Sequence, residues 1–139
     1  MTAMPHAAEE RSGFQAVALT AAMVVLFWAV AAFLVFATHQ LLAPIPALGA
    51  ALGKLVVIVA AAWAYMRLAA PAATVHHALL VGIVWFVLDI GAEVAMTFNS
   101  HHAWFVLLGS PASAAIRAVM LAAWVGAPAL FARYSSVND

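Results

Sequence analysis

Cysteine is absent from all 139 residues. That removes disulfides, thiolate-bound metals, iron–sulfur clusters and thiol redox chemistry together. Charge is scarce as well: 7% of residues are Asp, Glu, Lys or Arg, where a soluble domain carries about 25%. Five basic side chains against five acidic ones give a formal net charge of +0, so no basic surplus is available to meet nucleic acid. Catalytic signatures are missing too. There is no Gly-x-Ser-x-Gly elbow, no phosphate-binding loop and no Cys-x-x-Cys.

What is present is apolar: 68% of the chain by the AVILMFWYC count, with a mean hydropathy of +1.10. A soluble globular domain is excluded by these values, and so is a disordered chain, which needs low hydropathy and high net charge. The expected class is an all-α integral membrane protein, built as a four-transmembrane-helix bundle with both termini cytoplasmic. A hydrocarbon core of about 30 Å takes about 20 helical residues. Four apolar stretches reach that length, at about residues 14–37, 47–66, 78–98 and 111–131. Residues 1–13 and 133–139 are then short cytoplasmic tails around a membrane bundle at 14–132. Helices are required, because an open sheet in lipid leaves backbone groups unpaired, and the alternating pattern of a membrane β-barrel is absent.

Local signals set the boundaries. Ser110 before Pro111 reads as an N-cap followed by a proline at the first helical position. The stretch 99–109 then forms a connection, with Trp104, Phe105, Leu107 and Leu108 in the interface. Pro44 and Pro46 close the turn before the second span, Pro71 breaks the chain before the third, and Pro128 bends the end of the fourth. Ala29-Val30-Ala31 has the small-x-small form of a signal-peptide cleavage site. The apolar run continues beyond it and Glu9 and Glu10 spoil a basic leader, so a retained helix is expected.

Cations set orientation. Arg11, Arg67 and Arg133 fall on one side of an even-span topology, and the opposite connections hold no Lys or Arg. Trp63, Tyr65 and Tyr134 are expected in the cytoplasmic aromatic belt and Trp104 in the outer one. Two small-residue patterns predict close helix contacts: Ala114, Ala118, Ala122 and Gly126 on the fourth span, and Gly49 with Gly53 on the second.

Four charges lie inside the spans: Lys54, Asp89, Glu93 and Arg117. Each costs about 2.5–3.5 kcal/mol at mid-bilayer on insertion scales, so they persist only with partners or water. Counted from the outer helix ends, all four fall roughly 8–14 Å deep. Asp89 and Glu93, four residues apart, share a face that Trp85 and Thr97 continue, while Ser110, Ser113 and Arg117 share a face of the fourth span. Arg117 is expected to pair with one acid, because a guanidinium fork suits a carboxylate, and Lys54 to take the other.

Three roles fit this quartet: a structural clamp, a contact with another subunit, or a proton or ion path using Asp89 and Glu93. The balance of two acids and two bases weighs against transport, since a fully paired network has no free site. Histidine offers other chemistry. His39, His101 and His102 gather at the outer face, where imidazoles ligate zinc, copper or haem. Their spacing matches no ligand motif, and solvated helix ends explain them as well. Tryptophan and phenylalanine suit a quinone or lipid pocket, though core and belt positions account for them.

No cofactor is required by the sequence; haem, a metal ion or a quinone are the candidates it leaves open. The leading expectation is a small non-catalytic subunit of a larger inner-membrane complex, or a homo-oligomer. Its partners are membrane lipids and other membrane subunits, and its location a bacterial-type cytoplasmic membrane. A proton- or ion-coupled transporter is the first alternative and a haem or metal redox protein the second.

Overall fold

A computed structural model describes residues 6–42, 46–99 and 111–132. Among these residues four helices form: α1 (His6–Leu41), α2 (Ala47–Leu68), α3 (Val75–Asn99) and α4 (Pro111–Leu130). No strand occurs among the described residues. Alanine, leucine and methionine favour helix, and the valines lie in runs too long to be single strands. Three helices are long and apolar enough to cross a membrane: Gly13–Leu41, Leu48–Leu68 and Val75–Met96. The apolar part of α4 that can be assessed, Ala114–Leu130, is shorter.

Helix ends are set locally. Pro46 sits immediately before α2 in extended geometry and cannot continue a helix backwards. At the other end of α2, the Tyr65 carbonyl accepts from the amides of both Ala69 and Ala70, at 2.9 and 3.1 Å, which closes the last turn. Thr74 caps α3: its Oγ1 accepts from the His77 amide at 3.4 Å and its carbonyl from Ala78 at 3.0 Å. Pro128 lies inside α4 and is buried. The chain then leaves α4 through tighter bonds from Phe131 to the Pro128 carbonyl and from Ala132 to the Ala129 carbonyl, at 3.2 and 3.3 Å.

The helices form a ring in which α1 packs on α2 and, more lightly, on α3, while α4 packs on both α2 and α3. Consecutive helices α2 and α3 therefore stand across the diagonal. The register is antiparallel within the pairs α1–α2 and α3–α4. Thr38 of α1 lies beside Gly53 of α2, and Phe27 beside Tyr65. Gly82 of α3 lies against Val125 of α4, and Glu93 pairs with Arg117. The C terminus of α1, the N terminus of α2, the C terminus of α3 and the N terminus of α4 thus share one end of the bundle, here called the distal end.

Two glycines fix the closest approaches. A Cβ on Gly82 would run into the main chain of Val125, so only glycine lets α3 and α4 meet there. A Cβ on Gly53 would lie 2.6 Å from the Leu42 side chain and 3.3 Å from Thr38. Of the Gly49 and Gly53 pair expected on the second span, Gly53 makes such a contact. The ladder on the fourth span faces the other way. Ala114, Ala118 and Ala122 are exposed, and a Cβ on Gly126 would meet nothing within 4 Å. The packing of α4 inside the chain uses Trp124, Ala127 and Pro128 instead.

An aromatic chain fills the centre, with one member from each helix. Phe27 meets Tyr65 edge-on at 5.5 Å, Tyr65 meets Trp85 at 5.8 Å, and Trp85 meets Trp124 at 5.9 Å. These are the edge-to-face distances that aromatic quadrupoles favour. Trp85 is 0% exposed and its indole N–H donates to the Val24 carbonyl of α1 at 2.9 Å. Tyr65, expected at the depth of the interfacial belt, is 1% exposed, with its ring turned into the bundle. Trp63, two residues earlier and so turned to the opposite side, is 50% exposed and suits the belt.

Helix α1 outruns the bundle. Its side chains at residues 13–22 are all exposed, and packing begins at Met23 and Val24. The apolar stretch Gly13–Leu41 has 29 residues, roughly 43 Å of helix.

Candidate functional site

The polar side chains divide between two places at the distal end and one near the opposite end. On α3, Asp89 and Glu93 share a face, one helical turn apart. On α4, six residues after its start, Arg117 reaches across and its Nη2 donates to Glu93 Oε2. Both partners are part-buried. This ion pair ties the distal halves of α3 and α4 and adds a polar latch to the steric seat at Gly82.

Lys54 goes elsewhere. It was expected to take the second acid, but its Nζ lies 3.0 Å from Nδ1 of His39 on α1. The ring order explains this: α2 borders α1 and stands diagonally from α3, so the α1 imidazole is the nearer polar group for a flexible lysine. The four charges expected within the spans therefore do not form one network. Asp89 is part-buried, and among the described residues none makes a hydrogen bond or ion pair with it. Two carboxylates thus share the layer with a single guanidinium.

The third polar group was not anticipated. Tyr65 Oη lies 3.1 Å from Nε2 of His77, and the two rings stack at 6.4 Å with 7° between their planes. No role was expected of His77. Its signal was in the sequence: the spacing that links Asp89 to Glu93 and Trp85 continues back through Val81 to His77, one stripe at four-residue steps. Trp28 adds one further polar atom, an indole Nε1 that is buried without a partner among the described residues.

Several expected residues lie where no side chain is described. These are Thr97 near the end of α3, Ser110 and Ser113 at the start of α4, and His101 and His102 in the connection. Their assigned roles, polar support for Arg117 and ligation of haem or metal, fall outside the described residues. Of the three outer histidines His39 alone is described, and it is engaged by Lys54. Among the described residues no three His, Asp or Glu side chains come together as a metal site.

The geometry can do three things: clamp α3 to α4 through Glu93 and Arg117, tie α1 to α2 through His39 and Lys54, and hold a proton or small cation at Asp89. No protein family, curated protein or solved structure matches this chain.

Proposed function

We propose that the protein is a small non-catalytic component of a larger membrane assembly, either a subunit among others or a homo-oligomer. In this reading α4 supplies a fourth span, and both termini face the cytoplasm of a bacterial-type cell with a bundle set in the cytoplasmic membrane. Arg11 and Arg67 support that orientation, since both stand near helix ends opposite the distal end, and Arg133 follows α4 in sequence. The observation that carries the proposal is the outward ladder of α4. Ala114, Ala118, Ala122 and Gly126 offer a smooth, closely approachable surface that the chain itself leaves uncovered. The intramembrane charges Lys54, Glu93 and Arg117 are satisfied inside the chain, so this face is free to pack against apolar helices.

Native mass spectrometry from mild detergent or nanodiscs tests it. The expected result is a mass above the single chain of 14.5 kDa, as a multiple or as a complex with other chains. Ala122→Leu is expected to shift the population toward the single chain without loss of helix. A population of single chains in the native protein overturns the proposal.

A second reading is favoured by one observation, the acid left without its own cation. Asp89 would then bind and release a proton or monovalent cation within a transport cycle. Asp89→Asn would abolish flux in proteoliposomes while leaving the bundle intact. Unchanged flux, or no flux in the native protein, would remove this reading.

A further inference from the structure

We propose that the His39–Lys54 contact is a proton-operated latch that holds α1 on α2 at the distal end and releases when that side is acidified. The two groups lie 3.0 Å apart, Lys54 Nζ to His39 Nδ1. At that distance one must donate and the other must offer a lone pair. An ammonium has three donors and no acceptor, so His39 accepts, with its own proton on Nε2. A second proton on the imidazole removes the lone pair. The hydrogen bond is then lost and two cations face each other.

The placement gives this local event leverage. His39 is exposed and lies two residues from the end of α1, so protons reach it from the distal side. Its neighbours in sequence, Thr38 and Leu42, form the close seat for Gly53, which in turn precedes Lys54. The latch and the Gly53 contact are therefore parts of one interface. Charges on the other packed elements do not substitute for it. Asp89 and Glu93 of α3 and Arg117 of α4 make no hydrogen bond or ion pair with His39 or Lys54 among the described residues. No carboxylate in that set is therefore placed to neutralise the doubly charged pair. His101 and His102, in the connection on the same side, are outside the described residues and enter the test as a control.

The absence of cysteine makes the measurement direct. Single cysteines at two lipid-facing positions, Phe36→Cys on α1 and Leu52→Cys on α2, carry spin labels without touching the contact. Inter-label distances are read in nanodiscs from about pH 8 to about pH 5. The expected result is a distribution that lengthens and broadens as pH falls. H39Q, whose amide still accepts from lysine but does not titrate, stays short throughout. K54M, which removes the second cation, gives the same distribution at both ends of the range. A variant with both H101Q and H102Q keeps the native response. A native protein whose distances ignore pH overturns the latch. So does an H39Q or K54M variant that still responds, or loss of the response when only His101 and His102 are changed.

Discussion

The indole of Trp85 on α3 donates its N–H to the main-chain carbonyl of Val24 on α1, at 2.9 Å and 61 residues away in sequence. This bond crosses the lightest of the packed helix contacts. It also places a fully buried tryptophan so that its ring meets both Tyr65 and Trp124. Within an apolar surround there is little gain from packing one hydrocarbon on another, so a single well-made polar contact weighs more in choosing the arrangement.

Trp85→Phe is expected to loosen α1 specifically. The substitution removes the donor and part of the ring, so stability in mixed-micelle unfolding should fall by about 1–3 kcal/mol, combining the lost hydrogen bond with a partly filled cavity. Hydrogen exchange should rise most in the Val24 turn. An unfolding midpoint equal to that of the native protein would contradict this.

Gly82 and Gly126 should respond oppositely to the same change. Gly82→Ala drives a methyl group into the Val125 main chain, and overpacking of this kind costs typically about 1–3 kcal/mol, with more expected where backbone must move. Gly126→Ala meets nothing inside the chain, so its effect on the isolated fold should stay within about 0.5 kcal/mol. Unfolding of the two variants side by side checks the pair, and equal losses would refute it.

Glu93 and Arg117 should show coupling rather than independent effects. Glu93→Gln or Arg117→Gln alone removes one end of the ion pair and leaves the other charge part-buried, whereas the double substitution removes both ends. A double-mutant cycle is expected to give a coupling on the order of 1 kcal/mol, reduced from the fully buried case because both side chains retain solvent contact. Additive losses would show that the pair contributes nothing to holding α3 on α4.

Tyr65→Phe keeps the aromatic contacts with Phe27 and Trp85 and removes only the hydroxyl that meets His77. Loss of one such bond is expected to cost about 0.5–1.5 kcal/mol. The imidazole signals of His77 in NMR should shift, since its Nε2 loses its partner. Unmoved His77 signals would show that the hydroxyl and the ring do not interact.

The helical class and the membrane-length apolar runs were legible in the sequence, because composition and run length act locally and need no partner. The pairing of Arg117 with an acid on α3 was legible for a similar reason: depth along a helix follows from counting residues, and a buried guanidinium needs a carboxylate. The destination of Lys54 was not. Depth is the same for Asp89, Glu93 and His39 to within a turn or two, and only the order of helices around the ring places α2 beside α1 instead of α3. The direction of the α4 ladder was hidden likewise, since a stripe of alanines reads the same whether it faces a helix of its own chain or the outside.

Sequence by itself therefore determined what each element is. Scarce charge and long apolar runs made the chain helical and suited to a membrane, and four-residue spacing drew a stripe along α3 from His77 to Glu93. Tertiary structure alone decided which stripes meet. It turned Tyr65 into the bundle, gave Lys54 to His39, and turned the alanines of α4 outward. The reason is geometric. Periodicity fixes the face on which a side chain stands, but the rotation and neighbour of each helix depend on close contacts such as Gly82 against Val125, which no single segment encodes.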